Sequence, residues 1–561
     1  MFLPISETDL KAKGLDRLDI ILVSGDAYVD HPSYAAAVIG RVLEDAGFSV
    51  GIIAQPDWRK IDDFTKLGRP KLFFGVTAGN LDSMVANYTA NKKIRNDDDY
   101  APGGKAGLRP DRASIVYTNR VKEAFPDIPV VLGGLEAGMR RLAHYDYWDD
   151  KVRRSILLDS KADILIFGNG ERQAVEIARR MKNGESVKAL DNIRGTVIVR
   201  NSVSAFKDHV TIPSFEEVSA DKDAYNRSFK IIYAEADPFR GKALIQKHGE
   251  RFVIQLPPAL PLDTAELDRI YELDYARAWH PVYDKDGGVP GFATVKFSII
   301  SHRGCCGGCY FCSLYLHQGR IIQSRSASSI VKEVKALAQR KDFRGTITDI
   351  GGPTANMYRA ECGHWKSAGA CRGKSCLMPE KCKNLKLGYS ETLKLWKSIR
   401  QIKGVKHLFI GSGLRYDLLV DKYSDDYMEE LCARHISGRL KVAPEHSVDE
   451  VLRLMNKPPF KIYEKFVKRF EDMNRKVNKK QYLVNYLISS HPGAGSKDAA
   501  RLAAWLKKRH IHPEQIQDYL PLPMTISSCM YYTEKDPFTG RGLYVAKKPG
   551  ERKAQRALIQ R

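Results

Sequence analysis

The chain has 561 residues, of which 43% are hydrophobic, and a formal net charge of +23. That length suits roughly three or four domains, and that apolar share builds ordinary buried cores. No run of about 20 apolar residues occurs, which excludes a membrane-spanning helix. The start, "MFLPISETDLKAKGLDRLDIILVSGD", lacks the basic opening, long apolar core and cleavage site of a signal peptide, so a cytoplasmic location is expected. There disulfides are disfavoured, and clustered cysteines point to metal binding or catalysis. The positive surplus suits nucleic acid, an anionic surface, acidic metabolites or simply a solvated face. It thickens in "EKFVKRFEDMNRKVNKKQ" and in the C-terminal "AKKPGERKAQRALIQR", but no Arg-Gly repeat or compact basic tail makes nucleic acid specific.

Residues 1–200 read as alternating strand and helix. "LDIILVSG" (18–25) is an apolar run closed by glycine, as a buried parallel strand would be. In "SYAAAVIGRVLEDAG", Tyr34, Val38, Val42 and Leu43 share one helical face, and Gly47 can cap its end. "VGIIAQ", "KLFFGV", "PVVLGG" and "DILIFGNGE" supply further strands. A doubly wound parallel sheet follows, with ligands expected at the carboxyl ends of its strands. Such sheets bind nucleotides or cobalamin, but the matching motifs are incomplete. Gly168 and Gly170 lack the third glycine, Gln173 standing in its place. Asp30 beside His31 is not the Asp-x-His-x-x-Gly that supplies a lower axial ligand to cobalt, so a surface or capping role is expected for both. "NKKIRNDDDYAPGGKAGLRPDR" (91–112) is a long charged excursion, either mobile or functional.

Residues 201–290 carry weaker periodicity and read as a linker between two units. From 291 to 520 the alternation resumes as a partial (β/α) barrel. Strands are expected at "TVKFSII", "TITDIGG", "HLFIGSG", "RLKVAPE" and "QYLVNYLISS", and an amphipathic helix at "SSIVKEVKALAQR". Sites in such barrels lie at carboxyl strand ends. Residues 521–561 form a C-terminal extension.

Right after "TVKFSII" comes "SHRGCCGGCYFCSLYLHQGR", with four of the chain's ten cysteines in eight positions. Cys305, Cys309 and Cys312 fit C-x3-C-x2-C, while Cys306, Cys309 and Cys312 give a competing C-x2-C-x2-C frame. A structural zinc wants four closed ligands, whereas a [4Fe–4S] cluster held by three thiolates leaves one iron open. Gly304, Gly307 and Gly308 let the backbone curl around a bulky cluster. The first frame is preferred because it places Phe311 just before the third cysteine.

A strand followed by C-x3-C-x-aromatic-C and further βα units resembles the radical S-adenosylmethionine (SAM) superfamily. "GGLEAGMRRLAHYDYWDDKVRRSILLDSKADILIFGNGE", "LPLDTAELDRIYELDYARAWHPVY", "YLISSHPGAG" and "IQDYLPLPMTISSCMYYTEKDPFTGRGLYV" are similar to the YgiQ, or UPF0313-type, group within it. The resemblance covers most of the chain. It implies a cobalamin-binding-like N-terminal domain and a radical SAM core, with cobalamin itself left open. It also implies an iron–sulfur enzyme that cleaves SAM to a 5′-deoxyadenosyl radical, a low-potential electron donor such as flavodoxin or ferredoxin, and an unnamed substrate. By the same resemblance Phe311 borders the cosubstrate, and Gly351 and Gly352 meet the methionyl amine through backbone carbonyls, although Pro353 replaces the usual acidic residue. Ser412, Arg415 and Glu445 are candidates for ribose or carboxylate contacts, with structural salt bridges and caps as the alternative. His446 and Arg415 are candidate acid–base groups.

A second group, Cys362, Cys371, Cys376 and Cys382, lies in an irregular insertion at 360–386. It lacks paired C-x2-C knuckles, so zinc and an auxiliary iron–sulfur cluster both remain open, with His364 a substitute ligand and plain thiols the alternative. Cys432 and Cys529 are expected to pack as small core residues. Two other readings stand beside the radical enzyme: an RNA-modifying relative, which needs a compact β-barrel in its tail, and a non-catalytic electron-transfer or sensor protein, which needs a fourth cluster cysteine.

Overall fold

A computed structural model describes residues 1–560. The chain divides into two compact units, residues 1–260 with 269–296, and residues 261–268 with 297 to the C-terminus.

The first unit is built on a nine-stranded sheet. Five strands are apolar runs buried along most of their length: β1 Ile20–Ser24, β2 Val50–Ala54, β3 Phe73–Thr77, β4 Val130–Leu132 and β5 Ile164–Ile166. They are parallel and lie in the order β2-β1-β3-β4-β5, the flavodoxin-like doubly wound order. Four more strands extend it: β6 Thr196–Arg200, β7 His209–Ile212, β8 Ala243–His248 and β9 Arg251–Gln255. The full order is β7-β8-β9-β6-β5-β4-β3-β1-β2, with β5–β6, β6–β9 and β9–β8 antiparallel. Much of the stretch 201–290, expected as a linker, is therefore sheet. Its last part returns to the carboxyl end of β1, where Tyr275, Tyr283, Val289 and Phe292 join the same core as Tyr28 and Val29.

Strand order reverses between β1 and β3, so the crevice at their carboxyl ends is where a ligand is expected. The chain fills it with its own charges. Arg109, from the 91–112 excursion, is fully buried there. It pairs with Asp26 at 2.9 Å and Asp98 at 3.0 Å, and donates to the Ala78 carbonyl. A Cβ on Gly79, whose φ is +106°, would lie 2.0 Å from the Asp26 carboxyl. Beside it, buried Arg140 pairs with Asp82, and buried Glu136 accepts from the Ser83 and Ser114 amides at 2.8 and 2.9 Å. Asp30 and His31, expected at the surface or as caps, are both buried. Asp30 pairs with Arg41 and accepts from the Ala276 amide at 2.9 Å, because 275–292 folds over that loop.

The second unit carries a curved run of parallel pairings. β10 Ser298–Ile300 pairs with β11 Asp349–Gly351, and Thr346–Ile347 pairs with His407–Leu408. Leu414 bridges to Val442 in β12 Arg439–Glu445. β12 pairs with β13 Tyr482–Ser489, which pairs with β14 Gln515–Asp518. This is the partial barrel. Helix Ala327–Ala338 lays Ile330, Val334 and Leu337 inward, as its periodicity predicted. The last helix, Pro549–Gln560, packs back on the barrel: Ile559 joins Leu487, Leu502, Leu506 and Ile516, and Gln555 donates to the Ala494 carbonyl at 3.0 Å. Burying such side chains stabilises by roughly 1.5–3 kcal/mol each. No described helix is long and apolar enough to cross a membrane.

Candidate iron–sulfur and cosubstrate site

The cysteine loop follows β10 at the carboxyl end of the barrel. Gly304 has φ +85°, and a Cβ there would lie 2.3 Å from the Ile321 carbonyl, so no other residue fits this turn without displacing backbone. The loop is held from several sides. Cys305 N–H donates to Gly319 O (3.1 Å), Tyr310 N–H to Met455 O (3.0 Å), and the Asn456 side-chain amide to Gly307 O (3.3 Å) and Gly308 O (2.9 Å).

Cys305, Cys309 and Cys312 are half-buried, while Cys306 is fully buried. Burial, then the neighbouring thiols Cys309 and Cys305, pushes Cys312 up to about 12. Burial likewise raises Cys305, against the opposing pull of the Arg415 guanidinium. Three thiols that feel one another's charge in a poorly solvated loop need positive charge to ionise, which iron supplies. Backbone amides already point at the sulfurs: Gly307 donates to Cys305, and Leu314 and Tyr315 to Cys312. Arg415 places a guanidinium nitrogen 3.3 Å from the Cys309 sulfur. These features fit a cluster, whose thiolates are tuned by amide and cationic donors. Cys306 turns away, its sulfur 3.8 Å from that of Met357.

Arg415 is aimed by others. Its guanidinium is gripped by Asp417 at 2.8 and 2.6 Å, and its backbone is clamped by Asn356, which accepts from its N–H and donates to its carbonyl, both at 2.9 Å. Glu445 is buried at φ +66°, 3.6 Å from the Lys457 ammonium, and burial raises its pKa despite Lys457 and Arg415. Phe311 stands edge-on to His491, ring centres 6.3 Å apart, and His491 Nε2 is 2.7 Å from Ser527 Oγ. Burial pulls His491 down to about 3 and His446 to about 4, so both are neutral at pH 7.

The structure thus brings Arg415 to the cysteine loop and Glu445 into the same charged neighbourhood. Other expected residues are otherwise engaged. The Gly351 carbonyl accepts from Ser301 N–H at 2.7 Å and Ser301 Oγ at 3.1 Å, which uses both its lone pairs and leaves none for a methionyl amine. A Cβ on Gly352 would meet the His302 carbonyl at 2.6 Å, so this glycine serves close packing. Ser412 gives its hydroxyl to Asp349. The His446 ring accepts from the Val448 amide at 3.1 Å, a local turn contact. Among the described residues no group of three or more His, Cys, Asp or Glu is placed to hold a single metal ion. Cys362, Cys371, Cys376 and Cys382 are accordingly not gathered. Cys371 is exposed, while Cys376 accepts a hydrogen bond from the Cys306 thiol, which draws it down to about 7. Cys432 and Cys529 are buried. Asn356, Asp417, Asn456, Lys457, His491 and Ser527 carry no spacing signal. Asp417 alone stands two residues from an expected one.

Three family models match: Radical SAM N-terminal over residues 2–298, the Radical SAM superfamily over 299–506, and a domain of unknown function, DUF3362, over 514–561. A UPF0313 protein of Clostridium botulinum (strain 657 / Type Ba4) is 53% identical over 559 residues, covering 100% of this chain and 88% of that one. A UPF0313 protein of Methanocella arvoryzae is 50% identical, covering 99% and 92%. Among solved structures, the radical SAM methyltransferase TsrM of Kitasatospora setae, with tryptophan substrate and a SAM analogue, aligns with TM-score 0.53 at 15% identity over 96% of this chain and 88% of that one. TsrM with cobalamin and a [4Fe–4S] cluster gives 0.52, also at 15% identity, over 96% and 90%. At that identity the likeness to TsrM is one of fold. The chain belongs to the UPF0313 family of the radical SAM superfamily and is a radical SAM enzyme, with a [4Fe–4S] cluster and S-adenosylmethionine as its cofactors.

Proposed function

We propose that Cys305, Cys309 and Cys312 hold the cluster, and that Phe311, Arg415 and Glu445 border the cosubstrate. The observation that carries this reading is the convergence on three cysteine sulfurs of backbone amides and one guanidinium, with Cys306 facing elsewhere. When bound, cluster and SAM supply reductive cleavage of the sulfonium bond, giving methionine and a 5′-deoxyadenosyl radical that takes hydrogen from substrate. The chain's own part is positioning. Arg415, fixed by Asp417 and Asn356, favours the thiolate form of Cys309. Glu445, held by Lys457, offers an acceptor to ribose hydroxyls. Phe311 and His491 make an apolar wall for a purine, with His491 neutral.

Electrons come from a low-potential donor, flavodoxin or ferredoxin. The insertion suits an acidic one, with Lys366, Arg372, Lys374 and Lys383 exposed. We place the enzyme in the cytoplasm, since all ten cysteines are free thiols. Cobalamin has no part in the reaction, because the sheet edge that would receive it is filled by Arg109, Asp26, Asp98 and 275–292. The RNA-modifying alternative asks for a β-barrel tail, whereas the described residues after Asp518 form helices Ile526–Thr533 and Pro549–Gln560 and no strand.

The test is chromatography of an anaerobic reaction of cluster-loaded protein with SAM and dithionite. Slow release of 5′-deoxyadenosine and methionine is expected, abolished by Cys309→Ala and retained in Cys432→Ala. A loaded, reducible cluster that leaves SAM intact would count against the reading.

A further inference from the structure

We propose that Cys306 and Cys376 are a redox-active dithiol, a site of reversible disulfide formation that staples the 360–386 insertion to the cysteine loop. Two cysteines 70 positions apart (376 − 306) meet here, one from each of the chain's two cysteine-rich segments. The Cys306 thiol donates a hydrogen bond to Cys376, so the sulfurs are in contact in the reduced protein. A second tie lies beside the first. The Asn456 side-chain amide that holds Gly307 and Gly308 also reaches the Ser375 hydroxyl at 3.5 Å. The insertion is therefore anchored on the loop at the residue next to Cys376, and the thiol pair does not depend on a single contact.

The two sulfurs differ in access. Cys306 is 0% exposed and packed on Met357, whereas Cys376 is half-buried. That division suits exchange with a small-molecule disulfide such as oxidised glutathione. Cys376, as thiolate, attacks one glutathione sulfur. The glutathione S–S bond breaks, and one glutathione thiolate leaves. Cys306, losing its proton, then attacks the Cys376 sulfur of the mixed disulfide and expels the second glutathione thiolate. The protein gives up two electrons, and its two thiol protons end on two molecules of reduced glutathione. Closing the bond brings the sulfurs to about 2.05 Å. Gly307 and Gly308 on one side and Gly373 on the other give the backbone freedom for that shift.

The inference rests on the cluster assignment only in leaving Cys306 free of iron, and the iron content of Cys306→Ala reads that point separately. The experiment exposes cluster-loaded, full-length protein to oxidised glutathione without oxygen, blocks remaining thiols, and maps disulfides by mass spectrometry. A Cys306–Cys376 linked peptide is expected, reversed by dithiothreitol and absent from Cys376→Ser. In Cys306→Ala, where the resolving thiol is missing, Cys376 should accumulate as the glutathione adduct with iron content unchanged. Wild-type protein that keeps glutathione on Cys376 with Cys306 free, or that links Cys376 to Cys362, Cys371 or Cys382, would overturn the inference. Loss of most iron in Cys306→Ala would overturn it too, by making Cys306 a cluster ligand.

Discussion

Both units end parallel strands in loops at a carboxyl edge, and both crowd that edge with ionisable side chains. In the first unit every charge named at the β1–β3 crevice is matched by another: Arg109 by Asp26 and Asp98, Arg140 by Asp82, Arg41 by Asp30. At the barrel edge the thiols of Cys305 and Cys312 have only amides and one guanidinium to meet their charge, and burial holds them protonated. One edge is electrostatically closed, the other is closed only by a cation it can bind. Strand order alone therefore does not make a ligand site. The loop that returns over the edge decides whether the crevice is open.

The largest effect should come from opening the closed edge. Arg109→Ala leaves two carboxylates buried without their counter-charge, and losing one partner of such a network costs about 3–5 kcal/mol. The melting temperature of the variant should fall by several degrees. A loss below roughly 1 kcal/mol would mean that water already enters the crevice, and the two edges would then be alike.

That contrast was only partly legible in the sequence. β1 to β5 showed themselves because buried strands read as apolar runs. β8 and β9 did not, since Gln246 and Gln255 lie buried within them, one accepting from the Ala143 amide at 2.8 Å and the other from Arg141 at 2.6 Å. Buried polar residues with a tertiary partner break the pattern that periodicity relies on. The cysteine loop was legible because its spacing is local. Asn456, Asn356 and His491 reach it from distant positions, and nothing in their neighbours' identity marks them. The 91–112 excursion looked like a surface loop because its charges were visible and their partners were not.

A smaller effect should appear in the pH dependence. Burial, outweighing Arg109, pushes the Asp26 carboxyl up to about 6, against an ordinary 3.8. A carboxyl raised in the folded state binds its proton more tightly there than when unfolded. Its contribution is full below pH 3.8 and is lost as pH rises through 6. Asp26→Asn keeps the acceptor for the Asn80 amide, 2.7 Å away, and does not titrate. Wild type should therefore lose stability relative to Asp26→Asn between pH 4 and pH 7, by at most about 3 kcal/mol. Paired denaturation curves across that range read the difference. A wild type that gains on the variant as pH rises would show that the ion pair, not burial, governs this carboxyl.

The smallest effect expected is none at all, and it bears most directly on the comparison. A corrinoid at the first sheet would have to displace Arg109 from two carboxylates and lift 275–292, with Tyr275, Tyr283 and Phe292, out of the core around Tyr28. Asp30 would lose Arg41 or the Ala276 amide in the process. The gain from binding would have to exceed the several kcal/mol that these contacts hold. Hydroxocobalamin added anaerobically to the cluster-loaded enzyme should thus separate from it on gel filtration with an unaltered spectrum. Stoichiometric co-elution would show that 91–112 and 275–292 swing away together, and the filled edge would then be the resting state of a second site.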